Sequence, residues 1–291
     1  MPSTQDQVVS KSESATPTAT FRSLLVHAEP AGRASARVRA AAALAKVFGA
    51  RVIGLGAETF DATPTVDPFF GYAAGDWISL VHEQINADLK AAEAAFHKDA
   101  AGAETEWRST RAFPGRAMAS VSRAADLIVA SPPGRLGASL SVDPGELLMN
   151  AGRPVLIVPE GGEAPHARAV VIGWKDAREA RRAVADAMPF LQRAKDVIVA
   201  AVCEDDALDE ARFQAEDVAA ALKRHGAPAR AHVSAKPADG PARELARLAQ
   251  ANGADLIVMG GYGHSRFAQW AFGGVTDELI HRPPCSVLMS H

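Results

Sequence analysis

Beyond Phe21 the chain alternates short, nearly continuous apolar runs with longer Ala-rich segments that carry Arg and Glu. Apolar runs of this length suit strands buried on both faces, and the intervening segments suit crossover helices, so the pattern predicts an α/β protein built on parallel sheets. The pattern also repeats. Phe21–Val26, a helix over about 31–49 and Arg51–Leu55 are echoed, at an offset of about 145 residues, by Ala167–Ile172, a helix over about 177–193 and Asp196–Ala200. Further on, Ala125–Val129 matches Ala254–Val258, and Arg153–Val158 matches Cys285–Met289 by its place at the end of each half. Each half reads βαβαβαβαβ, the order of a doubly wound domain with a five-stranded parallel sheet and flanking helices.

This repeat divides the 291 residues into a tail over 1–20, a first domain over 21–160 and a second over 165–291. The tail is rich in Ser, Thr, Gln and Pro and has too little apolar surface to offset the entropy of ordering it. The Gly- and Pro-rich Pro159–Pro165 suits a linker. One stretch, Phe60–Asp76, has no counterpart in the second half and reads either as a lid or interface element or as a surface loop packed by its own aromatics.

Composition removes several function classes. A net charge of −3 and a pI near 6.3 argue against a general nucleic-acid binder. The chain has neither an apolar run long enough for a membrane span nor the apolar core of a secretion signal, so a cytoplasmic protein without a membrane partner is expected. Cys203 and Cys285 lack the spacing of a zinc site or disulfide framework, and no metal ligands are assigned. GxxxxGK[ST] is absent, Gly54-Leu-Gly56 fails the dinucleotide fingerprint, and Gly263-His264-Ser265 does not meet GxSxG.

The distinctive segment follows the strand Asp255–Met259. It reads Gly260-Gly261-Tyr262-Gly263, nine residues, then Gly273-Gly274 opening the helical run Val275–His281. Glycines at a strand end let backbone N–H groups form a concave donor nest, and a helix starting there aims its positive end at the same place. Such a loop lies at the C-terminal edge of a parallel sheet, where ligands of these folds sit. The residues therefore point to an anion or nucleotide-phosphate site.

Gly260-x-x-Gly263-x9-Gly273, with Ala254–Met259 before it and Cys285–Met289 after it, resembles the nucleotide-loop signature of the universal stress protein (UspA-like) family. The repeat makes the chain similar to a tandem member over residues 21–291. The resemblance implies a five-stranded parallel sheet of adenine-nucleotide α-hydrolase-like type, binding of ATP with Mg2+ through the loop, and pairing through the last strand. That pairing would be intramolecular between the two domains, with a homodimer as a further level. By position the implied nucleotide contacts are Gly260, Gly261, Gly263, His264, Ser265, Gly273, Gly274 and Val275. Two departures bear on this. Gly274 stands where the family places Ser or Thr, leaving Thr276 as the next hydroxyl. At the end of the first strand, where ATP-binding members place an acidic residue, the chain has Gly173-Trp174-Lys175-Asp176, so the acid is either displaced to Asp176 or absent. Trp174 suits either stacking on a base or ordinary packing.

The first half reads Ser131-Pro-Pro-Gly134 at the loop and Ser141-Val142 at the position of Gly273-Gly274. Two prolines remove two donors, so a nucleotide is expected in the second half alone. With no general base or carboxylate pair near the loop, no catalytic residue is assigned and slow hydrolysis is the most an enzyme reading supports. The expected function is a stress-response module whose nucleotide signals through the packing of the pair. The alternative is a universal-stress-type interaction and dimerisation module that binds no nucleotide.

Overall fold

The computed structural model describes residues 19–29, 34–60, 71–134, 140–262 and 274–291, with side chains from Trp77 onward in the helix that begins at Gly71. In the first half β1 (Ser23–His27), β2 (Arg51–Ala57), β3 (Glu104–Thr110), β4 (Leu127–Ala130) and β5 (Val155–Ile157) form a parallel sheet in the order β3-β2-β1-β4-β5. The second half repeats that order with β6 (Ala169–Gly173), β7 (Asp196–Cys203), β8 (Ala229–Ala235), β9 (Leu256–Gly260) and β10 (Ser286–Ser290). The chain thus has the mostly parallel α/β fold expected of it, twice over.

The two sheets merge into one of ten strands where β5 and β10 pair antiparallel. Leu156 faces Leu288, with Val155 opposite Met289 and Ile157 opposite Val287. Since Leu156 and Leu288 hold the same place in the two halves, this register defines a local two-fold axis. Alternation along each strand then supplies two apolar layers. Leu24, Val26, Leu156, Val170, Ile172 and Leu288 face one layer, and Leu25, Ile128, Ile157, Val171, Ile257 and Val287 the other. Both layers run through both halves.

Helices cover the faces: α1 (Ser35–Phe48), α2 (Gly71–Asp99), α3 (Pro114–Val121), α4 (Pro144–Asn150), α5 (Arg178–Asp186), α6 (Met188–Leu191), α7 (Leu208–Arg224), α8 (Pro241–Ala251) and α9 (Gly274–His281). Gly49 ends α1 in the left-handed conformation, φ 64°, and its N–H returns to Ala45 O, so the chain can turn directly into β2. On one face Phe21 and Phe48 of the first half meet Phe190 of the second, with ring centroids 5.1–5.5 Å apart. Ala19 N–H donates to Gln192 Oε1 there (2.7 Å), so the end of the sequence-defined tail is tied to the other half.

Two expectations need correction. The single helix over 177–193 is two helices, α5 and α6, because Pro189 has no N–H to continue the ladder and its ring would meet the carbonyl of Ala185. The stretch Phe60–Asp76 is not wholly a loop: α2 begins at Gly71 and runs for 29 residues, and Phe60 packs edge-on against Trp77 at 4.7 Å. Residues 61–70 lie outside the described residues. Among those described, no helix is long and apolar enough to cross a membrane.

Candidate functional site

In the order β3-β2-β1-β4-β5 the direction of winding reverses between β1 and β4, and in the second half between β6 and β9. The crevice outside the strand ends at such a reversal is where open parallel sheets hold ligands. Gly173 pairs with Met259, which sets Trp174 beside Gly260 at that edge in the second half. The sequence-predicted residues Trp174, Gly260 and Gly261 are therefore brought together, whereas Gly263, His264, Ser265 and Gly273 lie outside the described residues.

Each glycine has its own physical reason. A Cβ on Gly260 would stand 2.6 Å from Ala180 N and 2.7 Å from the Glu179 carbonyl carbon, so α5 begins directly over it. A Cβ on Gly261 would overlap Leu148 Cδ2 of α4, in the other half. Gly274 opens α9 and, among the described residues, has nothing within 4 Å of where its Cβ would be. Two helix starts therefore reach this edge, α9 at Gly274 and α5 at Ala177, the latter without a side-chain cap. Val275 follows on α9, half-buried. Thr276 is buried and its hydroxyl oxygen accepts the Tyr262 N–H at 3.3 Å, a bond that does not use the hydroxyl proton. Asp176 is exposed and pairs with Arg181 at 2.5 Å.

Trp174 is 8% exposed, and its ring belongs to the core layer on that side of the sheet. What it can offer is its indole N–H, which is buried and has no hydrogen-bond partner among the described residues. Unpaired buried donors are rare, because each forfeits its bond to water. Glu179, which the sequence reading missed, is buried on the first turn of α5 beside Gly260. Burial pushes its carboxyl up, but the 2.6 Å hydrogen bond from Arg178 Nε and the neighbouring charges of Arg178 and His291 hold it below its usual range. The signal for it was its place three residues after Asp176, at a helix start. Arg182 crosses the junction, but to the Gly152 carbonyl (3.2 Å) and not to an acidic residue of the other half.

Strand register fixes the equivalent positions in the first half. Leu24 pairs with Leu127 as Val170 pairs with Leu256, so Ala28 stands where Trp174 does and Glu29 where Lys175 does. The backbone agrees: Ala28 N–H donates to Leu55 O and Trp174 N–H to Ala200 O, each the last carbonyl paired with its first strand. Along β5 and β10 the local two-fold places Asp143 at Val275.

At these positions the first half keeps its own anions. Glu29 is 7% exposed and forms an ion pair with Arg37 of α1, whose Nε donates to His27 O at 2.8 Å. Burial lowers Arg37 to about 10, still charged at neutral pH. Burial and then the Arg37 charge hold His27 down to about 3, so it is neutral, with its Nε2 3.3 Å from Ala57 O. Asp143 Oδ1 accepts the N–H groups of Gly145 (2.6 Å) and Glu146 (3.2 Å), closing the start of α4. The second half has an exposed Lys175 in place of Glu29 and Val275 in place of Asp143.

A cavity of about 480 Å³ runs along α8 to Pro284 and Cys285, and none of the residues above lines it. Burial pushes the Cys285 thiol up to about 12, so it packs there as a small apolar group. Among the described residues no group of three His, Cys, Asp or Glu side chains could hold a metal ion.

A doubled, mostly parallel α/β sheet whose winding reverses once in each half defines the class. Residues 166–291 match the model of the Universal stress protein family, so the second half is similar to a domain of that family. Solved structures extend the likeness of fold to the whole chain. A universal stress protein from Archaeoglobus fulgidus DSM 4304 is 16% identical, with 92% of this chain and 95% of that chain covered and a TM-score of 0.61. A functionally unknown protein from Pseudomonas aeruginosa PAO1 is 17% identical, with 93% and 92% covered and a TM-score of 0.52. No curated protein matches the chain.

Proposed function

We propose that the second half binds one adenine nucleotide, as ATP accompanied by its own Mg2+, at the edge formed by Trp174, Lys175, Gly260, Gly261 and Gly274, and that the chain acts as a ligand-coupled stress-response module. The observation that carries this reading is the reversal of charge between equivalent positions: Glu29 and Asp143 in the first half, Lys175 and Val275 in the second. The first half answers its own cations and helix start with its own carboxylates. The second carries an exposed lysine and an apolar side chain at those positions, a change that favours a phosphate at this edge. The buried Trp174 N–H is a donor that an acceptor on the ligand would satisfy.

The test is calorimetric titration of the full chain with ATP and Mg2+. One site per chain is expected, and Lys175→Glu should weaken it by about tenfold or more at low salt. Absence of heat, or equal affinity in the variant, sinks the reading. One observation favours the alternative, a pairing module without nucleotide: Gly260 and Gly261 are each explained by helix packing. Silence in the titration would select it.

A further inference from the structure

We propose that helix α4 of the first half is a working part of the second half's site, holding the Gly260–Tyr262 turn in the shape the ligand needs; its consequence for binding rests on the nucleotide reading above. The contact between α4 and this turn is reciprocal. Gly261 lacks a Cβ where Leu148 of α4 presses against it. In return, Gly145 of α4 lacks a Cβ where Tyr262 arrives: a methyl there would stand 2.7 Å from the Tyr262 hydroxyl oxygen and 3.0 Å from Asp143 Oδ1. A glycine on each side thus makes room for a large side chain of the other.

Tyr262 is also held in an uncommon backbone state. Its φ is 53°, the left-handed region that non-glycine residues leave unless their surroundings over-determine it. Those surroundings come from both halves. In its own half the N–H donates to Thr276 Oγ1 on α9, and Gly261 is tied on both sides, its N–H to Ser290 O (2.9 Å) and its carbonyl to His291 Nδ1 (3.1 Å). From the first half come Leu148 and the start of α4 with its capping Asp143. The same α4 packs on α9, the helix whose start the nucleotide would use. The first half, which keeps its own anions, therefore acts as the bracket for the site of its partner.

The experiment uses the full chain with Gly145→Ala, Tyr262→Phe and the double variant. Gly145 is helical, and alanine is the better helix former, so Gly145→Ala should fold with an unchanged or raised Tm while its methyl displaces the Tyr262 hydroxyl. ATP affinity, titrated with Mg2+, should fall by about fivefold or more. Tyr262→Phe in the same chain removes the colliding oxygen and should restore most of that loss, so the two effects must be strongly non-additive. Amide exchange at Gly261 and Tyr262 supplies a readout that needs no nucleotide: Gly145→Ala should speed it several-fold. If wild type binds no ATP, the nucleotide reading fails, and faster exchange still supports the bracket. Unchanged exchange overturns the proposal in either case, as does additive loss of affinity in the double variant.

Discussion

The two halves share a strand order and a helix layer, yet at the edge where such sheets take ligands they dispose of charge in opposite ways. In the first half, Glu29 is buried against Arg37 and Asp143 closes α4. In the second, Lys175 is exposed and Val275 stands at the start of α9 where the first half has Asp143. One backbone thus supports two charge arrangements, a buried carboxylate at one register position and an exposed lysine at its equivalent. The difference shows that one strand order can carry opposite charges at the same register position, one turned into the interior and one exposed.

The largest expected effect that would break this comparison is Arg37→Met. It leaves Glu29 buried without its cation and removes the donor to His27 O, which should cost about 3–5 kcal/mol in urea unfolding. A loss below about 1 kcal/mol would mean that Glu29 is not committed to the interior. Next comes Gly274→Asp, which adds an anion at the first residue of α9, beside the proposed phosphate. Stability should hold or rise slightly, because an acidic residue suits a helix start, while ATP affinity drops by about tenfold. Undiminished binding would detach the helix start from the ligand. The smallest effect is expected from Asp143→Ala, about 1 kcal/mol of lost capping by thermal or chemical melt, with no ATP site created in the first half because Glu29 and the two prolines after Ser131 remain. A second equivalent of bound nucleotide in that variant would show that the cap alone had closed the first site.

Much of the fold could be read from the sequence because parallel strands buried on both faces announce themselves as apolar runs, and because the repeat supplied each run twice. Pro189 is the exception that local pattern obscured. The Ala- and Leu-rich period continues through it, but the missing N–H divides the helix. At Phe60–Asp76 the Pro and Gly content suggested a loop throughout, whereas the helical segment starts within it at Gly71. The site was legible as a glycine pattern but not as a reason for each glycine. Gly260 answers to α5 and Gly261 to Leu148, more than a hundred residues upstream, and no local spacing records such a contact. The ion pair of Glu29 with Arg37 was hidden likewise. Aligning the halves by their apolar runs sets Glu29 against Lys175, but only burial shows that one of these charges is turned inward and the other lies on the surface.

The junction of β5 with β10 carries a further consequence. Two separate chains joined across such an axis would come apart on dilution, and any substitution would appear on both sides at once. Here the partner is covalently attached, so its effective concentration is set by the linker and not by how much protein the cell makes. The pairing also ceases to enforce likeness. Each half can accumulate its own changes while the seam at Leu156 and Leu288 stays self-complementary, as the contrast of Glu29 with Lys175 already shows.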